Sequence, residues 1–313
     1  MTGDSDSFSN SFMRKRIMLI GSDSFIARSF AREKAGVFDI AGASLKPTAL
    51  GHELVVDDLF KLSGSDFRGA GSVINFAAIV HRPEITGESV YERANYQLPL
   101  HLAEAAAEGG AEHFVQMSTV AVYGGAEDIS LSTPCAPESP YGRSKLKADE
   151  ALLGNQSDDF TVSVVRPSMV YGGGAAPGNM MKLIRLCDLP VPLPLRRTGN
   201  SRQFAYCGLV ADALEKIVSK RAGGVFLVAD REPVSTEKLA EIIRAALGRP
   251  GMLFGLPAPL RRLLEKLKPS LYQKLFGSLR IDIDETFRKL DLESSPSDME
   301  KGIAEMVEAY RLF

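Results

Sequence analysis

Tyr141 and Lys145 stand four residues apart in SPYGRSKLKAD, and Thr119 closes the apolar run HFVQMST. On a helix this spacing puts the tyrosine and the lysine on one face, one turn apart. A phenol titrates near ~10 and is a poor acid or base at neutral pH. A neighbouring ammonium favours the phenolate and lowers that value. Its remaining N–H groups can bond ribose hydroxyls. A threonine hydroxyl at a strand end can orient a carbonyl or alcohol oxygen beside the phenol. Together the three could pass a proton to or from an oxygen whose carbon exchanges a hydride. A YxxxK pair alone is common on solvated helices, so its weight depends on what precedes it.

What precedes it is RIMLIGSDSFIARSF, residues 16–30, an apolar strand, a glycine turn and a helix. Such a turn points backbone N–H groups at a pyrophosphate. Gly21, Ser24 and Ala27 fill the three positions where glycine permits the tight turn, close phosphate approach and close packing. Only the first is glycine. Ser24 adds a hydroxyl able to donate to a phosphate, and Ala27 adds one methyl. The same residues also fit an ordinary turn of an α/β protein. In an NAD site an acid roughly 20 residues on bonds the ribose 2′-hydroxyl. That count lands in AGASLKP, which has no acid but offers Ser44 and Lys46. Lys46 could meet a 2′-phosphate, so NADP(H) is expected, with NAD(H) as the alternative.

These residues must be positioned by a parallel sheet. RIMLIG, VFDIAGASL, HELVVDD, SVINFAA, HFVQMST and TVSVVRP read as strands. Helical spacing separates them in SFIARSFAREKAG, SVYERANYQLPLHLAEAAAEGG and SPYGRSKLKADEALLG. This alternation implies a doubly wound α/β sheet with helices on both faces. Residues 1–13 read as a disordered tail and 14–170 as the dinucleotide-binding Rossmann domain. Residues 171–313 form mainly a smaller substrate-binding α/β domain, with about 203–230 returning to the sheet. GGGAAPGN and LPVPLPLRRTGN read as loops around the helix MMKLIRLC. GGVFLVAD reads as a strand, and STEKLAEIIRAALG, LPAPLRRLLEKL and SDMEKGIAEMVEAYRLF as helices.

With 45% hydrophobic residues, 313 positions suffice for a sizeable core. The 37 basic and 39 acidic residues form no stripe, which argues against nucleic acid. Cys135, Cys187 and Cys207 have no metal spacing and suit a reduced, cytoplasmic protein. No metal is expected. No apolar run approaches ~18 residues, so neither a membrane span nor a membrane partner is expected.

The order of dinucleotide-type turn, Ser118-Thr119 and YxxxK resembles the extended short-chain dehydrogenase/reductase family. The likeness runs through IGSDSFIA, VVDDL, VINFAA, RANYQLPLHLAEAA, MSTVAVYG, SPYGRSKLKAD, VVRPSMVYGGG and SRQFAYCGLVADAL. It is strongest to the sugar-nucleotide epimerases, dehydratases and reductases of bacterial O-antigen synthesis. The resemblance implies that Tyr141 gives or takes the proton and that Lys145 lowers its pKa and holds the nicotinamide ribose. Thr119 would bond the C4 oxygen. Gly21, Ser24, Phe25 and Ile26 would form the pyrophosphate turn, and Asp58 and Leu59 would border the adenine. Phe76, Ala77 and Ala78 would line the cofactor cleft, supported by Asn95. Pro167 and Ser168 would lie near the nicotinamide amide. Asn179 and Arg202 would contact the diphosphate of a UDP-sugar, and His81 and Arg82 would reach the sugar. Dimerisation through the YxxxK helix and the long helix before it is also implied.

Three functions follow. The first is reduction of the C4 ketone of a UDP-linked deoxy-amino sugar. The second is a UDP-sugar 4-epimerase using the same residues. The third is a non-catalytic dinucleotide sensor. Val120 and Ala121 stand where a dehydratase carries an Asp–Glu pair, and Met169 stands where many epimerases carry asparagine.

Overall fold

The computed structural model describes residues 14–80, 87–174, 178–292 and 298–312. In chain order the elements are β1 (Arg16–Ile20), α1 (Phe25–Lys34), β2 (Asp39–Ser44), β3 (His52–Val55), β4 (Ser72–Asn75), α2 (Glu88–Glu92) and α3 (Leu98–Glu108). Then come β5 (His113–Met117), β6 (Asp128–Ile129), α4 (Pro140–Gly154), β7 (Thr161–Pro167), β8 (Val170–Tyr171), α5 (Asn179–Asp188) and β9 (Leu193–Arg196). The chain ends with β10 (Ala205–Tyr206), α6 (Cys207–Lys220), β11 (Gly224–Val228), α7 (Thr236–Leu247), β12 (Leu253–Gly255), α8 (Ala258–Leu267), α9 (Pro269–Phe276), β13 (Arg280–Ile281), α10 (Asp284–Leu290) and α11 (Met299–Arg311).

Seven strands form one sheet in the order β11-β7-β5-β4-β1-β2-β3, and every pair in it is parallel. Parallel strands covered on both faces are buried along their length, and the central ones are: β4 and β5 have no exposed residue, and their polar members Ser72, Asn75, His113 and Gln116 are buried too. One face packs Phe30 of α1, Leu214 and Ile217 of α6 and Phe287 and Leu290 of α10. The other packs Leu98, Leu102 and Ala106 of α3 with Leu152 of α4. A third cluster joins Ile184 of α5, Ile243 of α7 and Ile303 and Met306 of α11, away from the large sheet. The carboxyl half is thus interleaved, because α10 packs on the sheet with α6 and β11.

The long helix expected before β5 is interrupted by a π-helical turn over Arg93–Gln97. LPVPLPLRRTGN, expected to be a loop, contains β9, paired in parallel with β12. Proline removes a ladder donor, and a two-stranded ribbon leaves one edge where that loss is tolerated.

Candidate active site

All strands of the sheet run the same way, so their carboxyl ends open on one crevice, where such sheets bind ligands. Gly21 follows β1 with φ 71°, and a Cβ there would sit 2.8 Å from the Ala77 nitrogen. Only glycine satisfies both the left-handed backbone and that approach. Ser24 caps α1, its hydroxyl accepting from the Ala27 N–H at 3.3 Å. The Phe25 and Ile26 N–H groups keep no partner among the described residues, leaving two donors at the helix start. The Ala27 methyl is wholly buried in the core.

The region past β2 differs from the expectation of an acid-free site. The β2–β3 register sets Gly42 opposite Glu53. The buried Ser44 hydroxyl donates to Glu53 Oε1 at 3.2 Å and to the Lys46 carbonyl at 2.7 Å, so its proton is engaged within the chain. The Thr48 N–H donates to Glu53 Oε2 at 2.7 Å. Burial acts to raise the Glu53 pKa, but the bonds from Thr48 and Ser44 prevail and hold it below the ordinary value. Lys46 is exposed. A cleft of about 930 Å³ beside this point is lined by Ser22, Arg28, Arg32 and Thr48. The sequence count missed both Glu53 and Arg28. The signal for Glu53 was an acid inside the apolar run HELVV.

Asp58 caps the short 3-10 turn Leu59–Lys61 by accepting from the Phe60 N–H at 3.0 Å. Leu59 is buried in the α3 side of the core. The Phe76 ring also faces core, 6.3 Å from that of Phe30, so only its backbone borders the crevice. Ala77 floors the Gly21 turn, and Ala78 is exposed. Asn95 is fully buried: Oδ1 accepts from the Ile79 N–H at 2.8 Å, and Nδ2 donates to the Ile79 carbonyl at 2.9 Å and to Ser144 Oγ at 3.2 Å. It fastens the segment after β4 to α4 and acts through these contacts. Pro167 ends β7, and Ser168 follows with a buried hydroxyl that has no partner among the described residues.

Thr119 and Tyr141 meet because α4 starts against the turn after β5. The Ser139 hydroxyl caps α4 by accepting from the Gly142 N–H at 3.0 Å. A Cβ on Gly142 would lie 2.8 Å from the Ala121 carbonyl oxygen, so glycine permits the contact. Burial pushes the Tyr141 phenol up to about 12; the Thr119 hydroxyl pulls it down and the Asp149 carboxylate pushes it up. Lys145, one turn on, is 2% exposed and donates to the Met117 carbonyl at 2.8 Å. Burial pulls its ammonium down to about 8, against Asp149, which raises it. The Lys145 ammonium is turned onto strand β5, and burial is the main influence on the phenol.

Beneath these residues lies a polar network that the motifs did not flag. Asp149 is fully buried and accepts from Ser118 Oγ at 2.7 Å and Arg166 Nε at 3.0 Å. Arg166 also donates to the Tyr123 hydroxyl at 2.8 Å. Burial raises the Asp149 pKa despite the pairing with Arg166. An arginine within the apolar run TVSVVRP was the signal, since a charge on a central strand requires a partner.

On the substrate side, Asn179 is the exposed first residue of α5. Arg202 bridges Val234 and Leu279, and its Nη1 donates to the Gln273 and Gly277 carbonyls at 3.1 and 2.9 Å. Burial lowers its pKa. His81 and Arg82 lie outside the described residues. Among the described residues no group of His, Cys, Asp and Glu could hold a metal, and no helix is long and apolar enough to cross a membrane.

A nicotinamide dinucleotide fits these residues. Two N–H groups at the start of α1 have no partner among the described residues, and the buried Ser168 hydroxyl, also without a partner there, stands beside the end of β7. Lys145 supplies a cation between them.

The UDP-glucose 4-epimerase of Vibrio cholerae is 27% identical over 95% of this chain and 96% of its own. The N-acetyl-alpha-D-glucosaminyl-diphospho-ditrans,octacis-undecaprenol 4-epimerase of Escherichia coli O157:H7 is 22% identical over 79% of this chain and 77% of its own. Among solved structures, MoeE5 in complex with UDP-glucose and NAD superimposes with a TM-score of 0.76 at 25% identity, covering 95% of this chain and 99% of that one. The model of the NAD dependent epimerase/dehydratase family matches residues 55–229, from β3 through the end of the sheet. With the crevice, the glycine turn and the Thr119–Tyr141–Lys145 set on one scaffold, the chain belongs to this enzyme family, whose cofactor is a nicotinamide dinucleotide.

Proposed function

We propose that the chain reduces the C4 ketone of a UDP-linked 6-deoxy-amino sugar to an alcohol. The observation that carries this reading is the Tyr141 phenol beside the Thr119 hydroxyl at the strand ends, above a buried Lys145. A bound nicotinamide would supply the hydride. Burial keeps Tyr141 protonated through neutral pH, so its proton is available when negative charge develops on the substrate oxygen. Thr119 orients that oxygen, and the two hydroxyls share the charge. Lys145 is protonated at neutral pH and can hold ribose hydroxyls. Arg202 and Asn179 are suited to the diphosphate, the arginine through its planar fork. Val120 and Ala121 offer no acid for eliminating water.

Exchange of cofactor at each turnover, which a reductase needs, is supported by the pyrophosphate turn. Ser24 consumes the Ala27 N–H that could otherwise face a phosphate. NADPH is supported by Arg28, exposed beside Ser22 in the cleft. A second reading, a UDP-sugar 4-epimerase with NAD, is favoured by Glu53, whose carboxylate repels a 2′-phosphate and suits a 2′-hydroxyl. The likeness to the Vibrio cholerae epimerase over nearly the whole chain also supports it.

Incubation with UDP-4-keto-6-deoxy-N-acetylglucosamine and NADPH should deplete the absorbance of the reduced nicotinamide. If it does not, and UDP-glucose and UDP-galactose interconvert without added cofactor, the enzyme is the epimerase. Tyr141→Phe should cut turnover by about 10²–10⁴-fold while cofactor binding is kept. Unchanged biological activity in that variant would make the chain a dinucleotide sensor. In cofactor titrations Arg28→Ala should weaken NADPH by roughly tenfold and leave NADH unchanged, while Glu53→Gln tightens NADPH. The opposite pattern would reverse the assignment of the cleft.

A further inference from the structure

We propose that the hairpin α8–α9, with β12 before it, docks on the surface of an anionic lipid bilayer. Helix α8 buries none of its residues. Its sequence, APLRRLLEKL, nevertheless has leucines at helical spacing. Leu260, Leu263 and Leu267 are 51%, 50% and 65% exposed. With each residue turning about 100°, these three and Leu264 fall in an arc about 100° wide. Such a stripe normally faces a core, and here it faces outward. Leu271 of α9 and Phe254 of β12 are exposed as well.

The hairpin is held together on its other side. The Tyr272 and Phe276 rings stack with centroids 5.2 Å apart. The Arg261 guanidinium lies 4.6 Å from the Phe276 ring centre, and its Nε donates to the Tyr272 hydroxyl at 3.3 Å. Leu264 is half-buried, whereas Leu260, Leu263 and Leu267 stay exposed beside this packing, so the hairpin itself does not cover them.

The occupant is chosen by charge. Residues 258–276 carry Arg261, Arg262, Lys266, Lys268 and Lys274 against the single acid Glu265, in a chain whose net charge is −2. Arg262, Lys266, Lys268 and Lys274 form no ion pair among the described residues. A leucine stripe bordered by unpaired cations is the pattern of a helix lying in a membrane interface, leucines in the acyl boundary and cations at anionic headgroups. The lysine stems reach those headgroups while the helix lies flat. A second copy of the chain fits less well, because a two-fold contact would bring the same cations against each other. The absence of a long apolar run excludes a span by sequence but is blind to such a helix. The proposal therefore replaces the sequence expectation of no membrane partner, and it does not rest on the reaction proposed above.

The test is flotation of the full chain with vesicles of phosphatidylcholine, with and without phosphatidylglycerol. The chain should float with the anionic vesicles, weakly with the neutral ones, and less at high salt. Leu263→Glu with Leu267→Glu should cut the bound fraction by at least ~tenfold. Arg262→Glu with Lys266→Glu should cut it less. Melting temperature and cofactor titration should stay at the parent values in both variants, which separates lost docking from lost folding. No flotation of the parent chain, equal flotation on both vesicle types, or flotation indifferent to the leucine pair would each overturn the proposal. So would light scattering in which the leucine pair turns a dimer into a monomer while neither form floats.

Discussion

Helices α4 and α8 both carry a proline in the first turn, yet their faces are sorted in opposite senses. The buried face of α4 includes Ser144, Lys145 and Asp149, three polar side chains. The leucine face of α8 lies in the open. Hydropathy alone would invert both. On α4 each buried polar group has its own partner: Ser144 Oγ donates to the Tyr141 carbonyl at 2.9 Å, Lys145 to the Met117 carbonyl, and Asp149 accepts from Ser118 and Arg166. Partners of this kind make a polar interior stable and fix its geometry, although Asp149 Oδ1 finds none among the described residues. On α8 Leu260, Leu263 and Leu267 are left exposed by the described residues.

The strongest way to break the comparison is Asp149→Ala. It strands the Arg166 charge in the interior, and unfolding in urea should show a loss of about 3–5 kcal/mol. A loss below about 1 kcal/mol would mean that the network beneath Thr119, Tyr141 and Lys145 is ornamental. A pH series sharpens the comparison next. The folded Lys145 titrates at about 8, below the ordinary 10.5, so burial disfavours its ammonium. Its contribution to folding therefore becomes more favourable as pH rises from about 8 towards 10.5. Cofactor affinity should run the other way, because the ammonium is the form that holds ribose hydroxyls. It should be flat below pH 8 and fall by up to tenfold per pH unit above, with Lys145→Met flattening the profile. A flat profile in the parent would remove Lys145 from cofactor binding. The smallest effect is expected on α8: Leu263→Ala should change stability by less than about 0.5 kcal/mol. A larger loss would place a hidden partner over that face.

Much of the scaffold was legible in the sequence, because a buried parallel strand must be an apolar run and the helices between carry their own spacing. RIMLI, HFVQM and TVSVVRP became β1, β5 and β7. What was hidden depends on pairing across distance. Ser44 looked free because Glu53 reaches it only through strand register. Asp149 in LKADEAL belongs to no motif, and its partner Arg166 comes from the distant strand β7. The strand in LPVPLPL was masked by prolines whose cost vanishes at an edge.

The π-helical turn at Arg93–Gln97 sets a rule about length. A π turn holds roughly one residue more than an α turn. Deleting any single residue there would restore a regular helix, leaving the flanking segments in phase but redirecting the side chains within the turn. Asn95 would then leave Ile79 and Ser144, and the segment below the cofactor crevice would lose its fastening. Most substitutions on the outer side of this helix should pass unnoticed, whereas one missing codon should not.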